Sequence, residues 1–113
     1  MFARFLVTAV LLSVVSASAA YADVLVLVSH EVKDFDAWKK GFDGDKAMRK
    51  KGGFKDLFVA RDTAKPNLVH LGFIAPSAEK AKAFIENPKL KETMEKCGVI
   101  SAPDIKIANL EKK

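Results

Sequence analysis

Val24-Leu25-Val26-Leu27-Val28, running on through Ser29-His30-Glu31-Val32, is the stretch on which the fold turns. It is dense in β-branched and apolar residues and short enough for a strand. Alternate side chains of a strand point to opposite faces, so Val24, Val26 and Val28 occupy one face and Leu25 and Leu27 the other. Both faces are apolar. Such a strand belongs in the middle of a sheet that is covered on both sides.

Downstream, Asp34 is placed to cap a helix and Asp36 puts negative charge in its first turn. Phe35, Trp38 and Phe42 follow at i, i+3 and i+7, one aromatic face directed at the sheet. Asp43-Gly44-Asp45 interrupts this helix, and a second segment ends on Arg49-Lys50-Lys51 before Gly52-Gly53, the basic last turn and glycine stop of a helix C-terminus. A calcium loop starting at Asp43 requires glycine where Met48 stands and a distal acid that is missing, so the two aspartates read as caps. Phe54 to Arg61 and Leu68 to Ile74 read as strands joined by the turn cluster Asp62 to Asn67, an antiparallel hairpin. Ser77 caps the next helix, with Ala81, Phe84 and Ile85 on its apolar side. Asn87-Pro88 breaks and restarts it, because proline fits a first helical position and disfavours helical geometry in the residue before it. Leu90, Met94 and Cys97 continue the face until Gly98, and Ile105 and Ile107 mark a last strand.

Upstream, Arg4 precedes an apolar run from Phe5 to Val15, and Ala20-Tyr21-Ala22 supplies small residues at the positions a signal peptidase reads. The run is shorter than the ~20 residues a spanning helix needs. Residues 1–22 are therefore expected to be a cleavable signal peptide and 23–113 a single domain, periplasmic or secreted, with no membrane segment after cleavage. Roughly 90 residues then remain, enough for one modest core. The net charge of +5 loses only Arg4 with the leader, and the lysines are scattered without interleaved aromatics, so nucleic-acid binding is not indicated. The single cysteine, Cys97, excludes an intramolecular disulfide and reads as a buried, inert thiol on the last helix, with an intermolecular disulfide or a reactive thiol as the alternatives.

The order strand, helix, strand, strand, helix, strand is the α+β ferredoxin-like βαββαβ arrangement, a four-stranded antiparallel sheet with its helices on one face. The opposite face needs a cover, and no residues are left to provide it, so a homodimer is expected. The segments Asp34-Phe35-Asp36-Ala37-Trp38 and Met94-Glu95-Lys96-Cys97-Gly98-Val99, with the break at Asn87-Pro88, resemble the dimeric α+β barrel superfamily, which includes the antibiotic-biosynthesis-monooxygenase-like and stress-responsive barrel proteins. They also resemble a small family of exported bacterial proteins that implies no activity.

No nucleophile elbow, zinc spacing, phosphate loop or dinucleotide fingerprint is present, and the sequence names no cofactor and no catalytic residue. The first functional reading is an exported homodimer binding a small molecule between sheet and helices. The resemblance implies a second, a cofactor-independent monooxygenase- or cyclase-like enzyme whose pocket is lined by aromatics with a histidine or two. Trp38, Phe42, Phe58, Phe73, His30 and His70 are the candidate lining, with His30, His70, Trp38 and Phe42 as ligand-binding residues. The only two histidines suggest a third reading, haem or metal binding through His30 and His70. If the first and third strands are neighbours, these residues lie close in register. A shared face, with Gly72 opening space beside His70, would then make one polar site.

Overall fold

A computed structural model of the chain describes residues 23–111. Its elements, in order, are β1 (Val24–Glu31), α1 (Phe35–Gly44), α2 (Lys46–Lys51), β2 (Lys55–Arg61), β3 (Leu68–Ala75), α3 (Ala78–Ile85), α4 (Pro88–Lys96) and β4 (Asp104–Asn109). The four strands form one antiparallel sheet in the order β2-β3-β1-β4, the ferredoxin-like arrangement expected from the sequence. β1 is central, as its two-sided apolar pattern requires.

α1, α3 and α4 begin where a side chain satisfies an otherwise unpaired N–H, whereas α2 starts after Asp45 with no side-chain cap and Asp43 pairs with Lys39 instead, so the two aspartates do not cap as expected. Asp34 accepts from the Ala37 N–H at 2.9 Å, Ser77 from Lys80 at 3.1 Å and Asn87 from Lys89 at 3.0 Å. The α2 and α4 stops are the same device used twice. Gly53 and Gly98 adopt φ values of +87° and +90°, a left-handed conformation that glycine takes without a Cβ penalty. The residue after each glycine then donates back into the helix, Phe54 to the Arg49 carbonyl and Val99 to the Met94 carbonyl, both at 3.0 Å.

The core lies between the sheet and the helices. Val24 and Val26 of β1, Val69, Leu71 and Phe73 of β3, Trp38 of α1 and Phe54 are buried there. An irregularity in β2 changes which residues join them. Asp56 pairs with Phe73 while Phe58 pairs with Gly72, so Leu57 is an extra residue that reverses the alternation. Asp56 therefore faces the helices and Phe58 the opposite, open side. There the Phe58 ring lies over Gly72 so closely that a Cβ would collide with it. The space expected at Gly72 is filled by this ring, and Phe58 is not part of the helix-side lining.

The open side carries Leu25, Leu27, Ile74 and Phe58, with Phe58 46 % exposed. No helix among the described residues is long and apolar enough to cross a membrane. The expected signal peptide lies outside the described residues.

Candidate functional site

Between the sheet and the helices is a cavity of about 90 Å³, whose walls include Trp38, Phe42, Phe73, Met48, Met94 and Cys97. The aromatic wall follows from helical periodicity. Trp38 and Phe42, one turn apart on α1, stack with centroids 5.0 Å apart, and Phe42 meets Phe73 of the sheet at 6.2 Å.

His30 enters from β1. It is only 3 % exposed and meets Trp38 edge to face, with centroids 5.6 Å apart. Its Nδ1 is buried and has no hydrogen-bond partner. Burial lowers the pKa of the imidazole from its ordinary value of 6.5, with a smaller opposing contribution from its own backbone. The ring is therefore neutral at pH 7. An unpaired nitrogen so placed costs the desolvation of a polar group, about 1–3 kcal/mol, until something pairs with it.

A second buried polar group supports the cavity wall. The Arg49 guanidinium, on a residue 6 % exposed, forms two 3.0 Å bonds to the Asp56 carboxylate and donates at 2.7 Å to the Phe42 carbonyl. It also lies 3.6 Å from the centre of the Phe42 ring, so charge pairing and cation–π contact together fix the aromatic wall. Cys97 closes the far side. Its Sγ is 3.9 Å from an Asp45 carboxylate oxygen, and burial, then the Asp45 charge, raise the thiol pKa. A protonated thiol is a poor nucleophile and metal ligand, so Cys97 acts here as wall.

Alternation within β1 and β3 holds, yet the two histidines do not meet. The register sets Ser29 opposite His70 and His30 opposite Val69. His30 thus points to the helices, and His70 points to the open side with Ser29. The shared site expected from their closeness in register is not formed, and one haem iron or metal ion cannot take both imidazoles from opposite faces of a sheet. Among the described residues no group of three or more His, Cys, Asp or Glu side chains is placed to hold a metal ion. Trp38, Phe42, Phe73 and His30 come together in the cavity; His70 and Phe58 line a separate depression with Leu27, Asp104 and Lys106. Arg49 escaped the sequence reading because it sits in a basic last turn beside Lys50 and Lys51. The available signal was Asp56, an acid two residues beyond the core residue Phe54.

No family model matches the chain, and no curated protein does. Solved structures do match over most of its length. An antibiotic-biosynthesis-monooxygenase-like protein of Caulobacter crescentus CB15 is 14 % identical with a TM-score of 0.65, the match covering 82 % of this chain and 93 % of that one. SnoaB, a cofactor-independent oxygenase of Streptomyces nogalater, is 12 % identical with a TM-score of 0.65 over 81 % of this chain and 96 % of its own. A further antibiotic-biosynthesis-monooxygenase-like protein, of Bordetella bronchiseptica, is 13 % identical with a TM-score of 0.63 over 81 % and 97 %. At such identities the likeness is one of fold. This chain has the ferredoxin-like α+β fold of the antibiotic-biosynthesis-monooxygenase-like proteins.

Proposed function

We propose that the chain binds a small aromatic molecule carrying one hydroxyl group in the cavity between sheet and helices, with the hydroxyl on His30 Nδ1. The observation that carries this reading is the unpartnered, buried nitrogen of a histidine that lines an aromatic-walled cavity. Flat apolar walls with a single polar anchor are the usual make-up of a small-molecule site. An engineered cavity of ~150 Å³ admits benzene. At about 90 Å³ this one needs its two flexible methionines, Met48 and Met94, to move aside for a single ring.

The fold shared with SnoaB favours a second reading, cofactor-independent oxygenation, in which the bound phenol itself reduces dioxygen. We further propose that residues 1–22 direct export and that a second copy covers the apolar end of the open face, around Leu25 and Ile74. Native mass spectrometry and an absorption spectrum of protein purified from its own host test the binding reading. The expected result is a bound aromatic molecule released by denaturation; protein that is empty and takes up no phenol would overturn it. Dioxygen uptake in the presence of the recovered ligand distinguishes oxygenation from binding alone.

A further inference from the structure

We propose that Ser29, His70 and Asp62 form a second, nucleophilic site on the open face, one that accepts short acyl groups from activated esters. Ser29 Oγ is 2.8 Å from His70 Nδ1, and His70 Nε2 is 3.0 Å from Asp62 Oδ1. The other Asp62 oxygen accepts the backbone N–H groups of Ala64 at 3.0 Å and Lys65 at 3.1 Å, so the β2–β3 turn fixes the carboxylate.

These contacts have a direction. The His70 hydrogen bond, followed by the two backbone N–H groups, lowers the pKa of Asp62, which is then ionised at neutral pH and can only accept. Nε2 of a neutral His70 must therefore carry the proton, which leaves the Nδ1 lone pair directed at the Ser29 hydroxyl. A serine so paired is poised to lose its proton as it attacks. Nδ1 is thus the base and Nε2 the anchored donor.

The neighbouring depression, about 250 Å³, is lined by Leu27 and Phe58, which offer an apolar seat, and by Lys106, a cation for the developing oxyanion. Lys106 is itself held by Asp104 at 2.9 Å. In the reaction, Ser29 Oγ bonds to the ester carbonyl carbon while its proton passes to His70 Nδ1. The carbon–oxygen bond to the leaving group then breaks, and the departing alcohol takes that proton. Water repeats the sequence on the acyl-serine and releases the acid. No oxidant or metal is required.

This site lies on the opposite face of the sheet from the His30 cavity, in the Ser29–His70 row four residues along β1 from the Leu25–Ile74 pair where a second copy is proposed to sit, and does not rest on the His30 reading. The full chain is incubated with p-nitrophenyl acetate and, separately, with a fluorophosphonate; p-nitrophenolate release and the mass and position of the adduct are read. One adduct per chain on Ser29 is expected, absent from Ser29→Ala. Asp62→Asn preserves the turn bonds but presents an amide N–H to Nε2, which moves the ring proton to Nδ1. It is expected to label about 100-fold more slowly, the scale of a lost general base, while keeping the circular-dichroism spectrum of the folded chain. Adducts confined to lysines, labelling unaffected by Ser29→Ala, or an Asp62→Asn protein that labels at the original rate would each overturn the proposal.

Discussion

Arg49 and Asp56 are unequal partners. Arg49 has a side chain 7 % exposed and Asp56 one 31 % exposed, so losing either one leaves a different remainder. Asp56→Ala strands a buried guanidinium and is expected to cost about 3–5 kcal/mol. Arg49→Met removes the buried charge together with its desolvation and leaves a carboxylate that water can reach, so about 1–2 kcal/mol is expected. Urea unfolding midpoints check the order, and equal losses would contradict it.

His30 gives a pH signature at the same scale. Burial depresses its pKa in the folded state, so below its ordinary value of 6.5 the unfolded chain binds more protons than the folded one. Stability should fall as pH drops through 6.5 toward the folded-state value, by at most about 1.4 kcal/mol per pH unit for one proton. His30→Phe should abolish this slope in denaturation curves taken between pH 7.5 and 5.5. The depressed pKa of Asp62 acts in a separate window: its stabilisation is complete above its ordinary 3.8 and is lost at lower pH, as the folded-state value is passed.

The aromatic face of Trp38 and Phe42 was legible in the sequence because helical periodicity is local. The fate of the histidines was not, because a one-residue difference in register moves a side chain to the other face. The Ser29–His70–Asp62 chain depends on that same register and on the turn that brings Asp62 back to β3.

Helix boundaries were the most legible elements. Asp34, Ser77 and Asn87 cap as their chemistry predicts, and Gly53 and Gly98 close their helices. The β2 irregularity was hidden, since simple alternation puts Phe54, Asp56 and Phe58 on one face and nothing local marks Leu57 as the extra residue. Its consequence can be tested by coupling. Gly72→Ala drives a methyl into the Phe58 ring, which is exposed enough to swing away, so a loss of about 1 kcal/mol is expected. In a Phe58→Ala background the same change meets no ring and should cost nothing measurable. A double-mutant cycle in urea checks this, and strict additivity would place Phe58 elsewhere.

For the whole molecule, the two-sided apolar character of β1 was legible in the sequence and implies a partner for the open face. Leu25 and Ile74 are paired across the two middle strands, β1 and β3, near the Val24–Ala75 end of that face. Light scattering should give twice the chain mass, and Leu25→Lys or Ile74→Lys should give single chains that remain folded. A monomeric unmodified chain would remove the argument for a second copy. The central claim concerns the other face, where the only tryptophan of the chain, Trp38, stands in the cavity wall beside His30. Its fluorescence reports the cavity without an added label. Titration with small phenols should change that emission saturably, with weaker binding in His30→Phe and for the matching ring that lacks a hydroxyl. A response that never saturates, or one indifferent to both the hydroxyl and His30, would contradict the account.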